Sequence, residues 1–354
     1  MGVYKLTQTK EKSDDWILMI DESIAFGHDK LLVILGIRET QLEFGRALNH
    51  HDMTCLKLTA SCSWKGEDIK KVLDELTLQI GTIKYVVADM GNSIKRALKL
   101  SSITHVEDAN HKISWFIKEL YKDDKYFKSY TEKLAYLRGS LVLSNWSHIL
   151  PPRQRVNSRY MNLKPIFDWG MAILQMLESE TSVASEKEKV LFVKEYETLI
   201  RQTHELIGIA NSIQEILKNN GLSEKTKEDC LLLFDKASDI RVLKFKDMID
   251  NYLTNMSKAI EGSDKILCSS DILESSFGKY KNYISDNISI GITDLSLSIP
   301  AFESKLEQEE IKKAMEGVKV KQIKEWGITN IGLTQTKKRR EALKMGGRKK
   351  CLTP

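Results

Sequence analysis

A chain of 354 residues with 42% hydrophobic and 29% charged residues is long enough for two or three cores and too apolar to stay disordered. Its 54 basic and 49 acidic residues leave +5, a balance that permits a polyanionic partner without requiring one. Five scattered cysteines, none in a CxxC pair, indicate neither a zinc ribbon nor a disulfide framework. A polar amino terminus, and the lack of any run near the roughly 18–20 apolar residues of a membrane span, lead us to expect a soluble cytoplasmic protein with reduced thiols.

Residues 1–15 read as an N-terminal extension. The first apolar run, WILMI from Trp16 to Ile20, stops at Asp21 and Glu22, as a short buried strand would. A second run covers Lys30 to Ile37, after the turn-forming stretch at 26–29, and a third covers Met53 to Thr59. Short connections make these three strands antiparallel neighbours. Asp68 to Ile80 then places Ile69, Val72, Leu73, Leu76 and Ile80 on one helical face. A strand from Ile83 to Ala88 ends at Asp89, followed by a short helix from Asn92 to Leu100, a strand from Thr104 to Val106 and a further helix. Three strands followed by helix, strand, helix and strand describe an α/β domain with a mixed sheet.

Helical patterns then dominate: Leu134 to Leu143, Pro165 to Leu177, Glu186 to Lys218, Lys225 to Ser238 and Val242 to Ala259. Asp271 to Tyr283 reads as a helix with Ser269 or Ser270 as its N-cap, and Ser304 to Gly317 as a charged helix. Beyond Gln335 the chain is basic, with eight lysines and arginines between Lys337 and Lys350 against Glu341, and reads as a mobile tail that tethers polyanions.

Two carboxylates, Asp21 and Asp89, close apolar strands. Sites in α/β sheets gather where strands end, and paired carboxylates that repel each other call for a hard divalent cation. Two ions about 3.5–4 Å apart clamp both oxygens of an in-line phosphoryl displacement. Glu274, on the helix after the helical stretch, offers a third carboxylate.

Taken in order, WILMIDE up to Glu22, YVVAD ending at Asp89, DANH from Asp108 to His111 and SDILESSF from Ser270 to Phe277 resemble the DDE transposases. The subgroup in question, which includes Mutator-like, hAT-like and several bacterial insertion-sequence transposases, has a helical insertion before its last acid. It also carries a (C/D)xxH signature after the second acid. The resemblance spans about residues 15 to 290 and implies an RNase H-like mixed sheet flanked by helices and interrupted by a large all-α insertion. Its implied domains are a first part at 16–115, an insertion at 116–265, a final helical part at 266–300, and a charged helix with a basic tail at 301–354.

By the same resemblance, Asp21 bridges two Mg2+ ions (Mn2+ able to substitute), while Asp89 and Glu274 hold one each. Asp108 and His111 organise the surroundings of the site. Double-stranded DNA, as transposon ends and as target, is the implied partner, bound by a homo-oligomer, with the protein nucleoid-associated in a bacterial cell. Water and then a DNA 3′-hydroxyl attack, with no covalent protein–DNA intermediate. Such proteins usually carry an N-terminal module that recognises the transposon ends; here the catalytic fold begins by Trp16, so that module is expected to be missing, separately encoded or removed.

Each residue also has a plainer reading. Aspartates at strand ends serve as turn formers, Glu274 suits the first turn of a helix as a dipole-matched acid with Asp271 as its competitor, and His111 suits a helix start. Trp146 reads first as a packing aromatic, with stacking on a flipped base as the alternative. Arg153, Arg155 and Arg159 are phosphate contacts or a solvated loop. Two other activities stay open: a related nuclease without strand transfer, and a truncated or domesticated descendant that binds DNA without cutting it.

Overall fold

Trp16 to Ile20 put five large apolar side chains in a row with no turn former among them, and all five are buried. Such a run suits only a strand covered on both faces. The computed structural model describes residues 1–24, 29–155, 159–179, 184–260, 263–284, 291–303 and 306–349, so the turn expected at 26–29 falls mostly outside the described residues.

The elements run in this order: α1 (Gly2–Thr7), β1 (Ser13–Ile24), β2 (Lys30–Arg38), β3 (Thr54–Ser61), α2 (Gly66–Ile80), β4 (Gly81–Ala88), α3 (Asn92–Ser101) and β5 (Thr104–Glu107). Seven helices follow: α4 (Ala109–Tyr121), α5 (Lys125–Leu141), α6 (Lys164–Glu178), α7 (Ala184–Val190), α8 (Glu197–Asn220), α9 (Glu224–Leu232) and α10 (Ile240–Ala259). The last five are α11 (Asp271–Ile284), α12 (Ser298–Phe302), α13 (Gln308–Gly317), α14 (Val320–Asn330) and α15 (Gln335–Lys349). The chain divides into two compact units, residues 1–108 with 218–220 and 267–354, and residues 109–217 with 221–266.

The first unit is mixed α/β, built on a five-stranded sheet of order β3-β2-β1-β4-β5. β1 pairs antiparallel with β2 from Trp16↔Arg38 to Ile24↔Lys30, and parallel with β4 through Ile20↔Ala88. β2 pairs antiparallel with β3, and β4 parallel with β5. The two parallel connections need crossover helices, which α2 and α3 supply. Period-2 alternation sends Trp16, Leu18 and Ile20 to one face, where they pack with Leu73 and Leu76 of α2 and Ile94 and Leu98 of α3. Truncating the fully buried Leu73 to alanine would cost about 2–5 kcal/mol. Gly81 ends α2 and opens β4 at φ 95°, where a Cβ would lie 2.2 Å from the Ser13 carbonyl oxygen, so the crossover needs glycine there.

Among its described residues the second unit is helical apart from a bridge between Leu222 and Ile266. Phe127 lies at its aromatic centre, with ring centroids 5.1 Å from Tyr121 and 6.1 Å from Phe167. Tyr130 stands 5.7 Å from Phe167 and 5.3 Å from Tyr196. Arg241 covers the Tyr121 ring at 4.4 Å and pairs with Asp124, whose carboxylate caps α5 by accepting from Phe127 N at 2.8 Å.

Besides differences in helix bounds and in short helices, two stretches differ in kind from the sequence expectation. The single helix expected from Glu186 to Lys218 is broken by a 3-10 segment, Leu191–Tyr196. Its i, i+3 repeat lines Val193 directly with Tyr196 on the buried side. The basic stretch after Gln335, expected to be mobile, forms α15. Lysine, arginine, alanine and leucine are strong helix formers, and Lys338 anchors the helix to Asp29 at 2.9 Å.

Candidate active site

β1 and β4 lie side by side in parallel, and their last shared register step is Ile20↔Ala88. Asp21 and Asp89, both half-buried, are the next residues along these neighbouring strands; β4 ends at Ala88, whereas β1 runs on to Ile24 with Asp21 paired to Val33 of β2, so Asp21 does not close its strand as the sequence suggested. Parity decides their face. Trp16, Leu18, Ile20, Val86 and Ala88 face α2 and α3, so Asp21 and Asp89 continue the opposite set, Ile17, Met19, Tyr85 and Val87. On that opposite side α11 packs against β1. Glu22, of the other parity, pairs with Lys30 of β2 at 2.7 Å.

Short backbone contacts orient both aspartates. Asp21 Oδ1 accepts from Glu22 N at 2.7 Å, and Asp89 Oδ1 accepts from Gly91 N at 2.8 Å. A Cβ on Gly91 would lie 2.8 Å from that Oδ1, so only glycine lets the Asp89 carboxylate fold over its own turn. The Ala88 carbonyl before it accepts from Asp108 N at 2.8 Å and lies 3.3 Å from His105 Nε2. Burial lowers the His105 imidazole below its ordinary range, so the ring stays neutral near pH 7 and donates Nε2–H to that carbonyl.

Asp108 is 1% exposed. Its Oδ2 accepts from Ser270 N at 2.6 Å and from Ser270 Oγ at 2.8 Å. The residue thus ties the end of β4, through its backbone, to the start of α11, through its carboxylate. Nearby, Leu267 N donates to the buried Tyr85 hydroxyl at 2.9 Å. Ser270, expected as an N-cap, gives its hydroxyl to Asp108 instead, and Ser269 Oγ takes the Asp271 amide at 3.4 Å. The Asp108–Ser270 contact spans 162 residues, so no local signal marks it.

Glu274 lies in the first turn of α11 and is exposed. Asp271, its competitor, forms an ion pair with Lys218 at 3.0 Å. Among the described residues, no group of three or more His, Cys, Asp or Glu side chains is arranged to hold a metal ion. Magnesium commonly takes one or two protein carboxylates and fills its remaining positions with water and phosphate oxygens. The Asp21–Asp89 pair, two hard oxygen donors on neighbouring strands, fits that need; Glu274 is not gathered into a three-acid cluster with them.

The remaining sequence candidates lie in the helical unit. His111 is half-buried near the start of α4. Trp146 is half-buried, its ring 6.3 Å from that of His148. Arg153 and Arg155 are exposed, and Arg153 lines, with Arg138 and Gln154, an open groove of about 480 Å3. Arg159 behaves differently from its two neighbours: its guanidinium lies 5.4 Å over the Phe127 ring and its Nε is buried without a hydrogen-bond partner.

No protein-family model matches the chain. No curated protein matches it either. Among solved structures, the chain is similar to the "Drosophila P element transposase strand transfer complex", at 12% identity over 85% of this chain and 78% of that one, with a TM-score of 0.40. Similarity at that level concerns general outline only. No described helix is long and apolar enough to cross a membrane.

Proposed function

We propose that the sheet unit is an RNase H-like catalytic domain and that the chain is a DDE-type transposase. The observation that carries this reading is the placement of Asp21 within β1 and Asp89 just after β4, each following a residue of the last β1–β4 pair, Ile20↔Ala88, on the face of the sheet that α11 covers. The strand order β3-β2-β1-β4-β5, with the first three strands antiparallel and the last two parallel to β1, supports the fold assignment. The helical unit, whose sequence falls between two stretches of the sheet unit, is then the insertion before the last acid.

On this reading Asp21 and Asp89 hold divalent ions through hard oxygens, and Glu274 on α11 supplies the third carboxylate. When bound, two such ions stabilise charge on the attacking and leaving oxygens of a phosphodiester. Asp108 keeps the start of α11 aligned with the end of β4, which is the positioning a shared substrate would need. Hydrolysis at a transposon end frees a 3′-hydroxyl, and attack of that hydroxyl on target DNA joins the strands. The surplus of lysine and arginine on α15 suits DNA phosphates. Handling two ends together calls for an oligomer on DNA.

Purified protein with magnesium and a labelled duplex should yield nicked and then joined strands, and Asp21→Asn should yield neither. Equal products from the two proteins would sink the proposal. A second reading, a descendant that binds DNA without cutting it, is favoured by one observation: Glu274 is exposed and outside any three-acid group among the described residues. Magnesium-independent DNA binding without nicks, unaltered by Asp21→Asn, would select it.

A further inference from the structure

A second cluster of polar groups, in the same unit, uses none of these carboxylates. His50 stands in a short 3-10 turn, His50–Asp52, and its half-buried ring bonds through both nitrogens. Nδ1 lies 3.1 Å from Glu303 Oε1, and Nε2 lies 3.1 Å from Ser275 Oγ. A carboxylate oxygen only accepts, so the imidazole presents Nδ1–H to Glu303, which leaves the Nε2 lone pair for the Ser275 hydroxyl proton. Exposure is graded along the chain of contacts: the Glu303 side chain is 0% exposed, that of His50 13%, and Ser275 is open to solvent. Ser276 Oγ lies within hydrogen-bond distance of the same Oε1 and of the Ile272 carbonyl, between which its single proton is shared. Burial raises the Glu303 carboxyl above its ordinary range, while Ser276 and His50 pull it back.

A hydroxyl within reach of an imidazole that is itself oriented by a buried carboxylate is the arrangement of an activated nucleophile. Two other histidine–carboxylate pairs have a different setting: His148–Glu186 and His204–Asp168 are solvent-facing, with histidine side chains 55% and 44% exposed. We propose that Ser275, His50 and Glu303 form a nucleophile, base and orienter that make Ser275 an acylatable serine, reactive toward small carboxylic esters and related acyl-type electrophiles.

The step balances. Ser275 Oγ bonds to the carbonyl carbon as its proton passes to His50 Nε2; the ester C–O bond breaks, and the leaving alcohol takes the proton. Water then repeats the sequence, which releases the acid and restores Ser275. Ser275 sits on the solvent side of α11, so the accessible electrophiles are small or extended ones.

The test uses the full chain in EDTA, which makes its result independent of the metal-dependent reading. A fluorophosphonate probe should form an adduct on Ser275, seen by peptide mass spectrometry, with loss of fluoride; p-nitrophenyl acetate should give a burst of p-nitrophenolate. His50→Gln should slow both by at least about 10²-fold, and Ser275→Ala should abolish the adduct and the burst. His50 is half-buried at the surface, so its variant should keep the far-UV circular dichroism of the parent. An adduct absent from Ser275, or formed there at the same rate in His50→Gln, would overturn the proposal.

Discussion

The end of the sheet and the helix α11 both present acids, but they are held in different ways. Asp21 and Asp89 are placed by backbone pairing, since the register of β1 against β4 runs through Ile20↔Ala88 and carries them to adjoining positions. α11 has no such ladder. It is attached by side chains drawn from far along the chain: Asp108 takes both Ser270 donors, His50 meets Ser275, and Glu303 meets the Ser276 hydroxyl. The strand positions are therefore set by many cooperative backbone bonds, whereas the start of α11, packed through Ile272, Leu273, Phe277 and Tyr280, is aligned by the buried Asp108–Ser270 contact. Loss of that contact should shift the start of the helix and leave the sheet intact.

The comparison can be broken most strongly at the sheet. Asp21→Asn should lower magnesium-dependent DNA nicking by at least about 10³-fold, roughly 4 kcal/mol of barrier, with little change in the urea midpoint. Nicking rates and urea melts on the same preparations check this. On the helix side, Asp108→Ala leaves the buried Ser270 amide and hydroxyl without their acceptor. It should cost about 3 kcal/mol of stability by urea titration, with faster amide exchange concentrated at the start of α11. An unchanged midpoint would mean that α11 is anchored by something other than Asp108.

A finer test displaces a carboxylate without removing it. A methyl at Gly91 lands 2.8 Å from Asp89 Oδ1, so Gly91→Ala should reduce nicking about 10²-fold while the melt stays near that of the parent. Away from both sites, Asp15 serves as a control at the far end of β1. Burial raises its carboxyl pKa, but the donors Ser13, Arg38 and Thr40 outweigh that and hold it well below the usual carboxylate range. A depressed folded pKa contributes stability above the unfolded value, near 3.9, and loses it as pH falls toward the folded one. Asp15→Asn should therefore cost about 2 kcal/mol at pH 7, and the gap should shrink steadily below about pH 4 in pH-dependent melts. Lys338→Ala removes a partly exposed ion pair with Asp29 and should cost only about 0.5 kcal/mol. A larger loss in the melt would mean that α15 is bound by more than that contact.

Much of the sheet unit was legible because its signals are local. The five strands expected from short apolar or alternating stretches are the five of the sheet, and the run from Trp16 to Ile20 already implied a strand covered on both faces. The pairing of Asp21 with Asp89 could be anticipated from two runs that each stop at an acid, although only the β1–β4 register shows them adjacent. The 3-10 segment at Leu191–Tyr196 was hidden because its residues suit an α-helix equally well until burial of Val193 and Tyr196 selects the tighter turn. α1 was missed because six residues carry too few periodic positions to stand out, and α14 because it buries only Gly327 and so has little apolar face to read.

What this sequence determined unaided is periodicity: which stretches are strands and helices, which faces are apolar, and where apolar runs end in acid. What only the tertiary structure decided is the company each polar group keeps. Asp108 meets Ser270 across 162 residues, His50 meets Ser275 across 225 and Glu303 across 253. The physical reason lies in the reach of the forces. Alternation and helical repeat act over a few residues and leave a mark on composition. A buried hydrogen bond acts over about 3 Å of space and leaves no mark on sequence spacing until the sheet and α11 have packed.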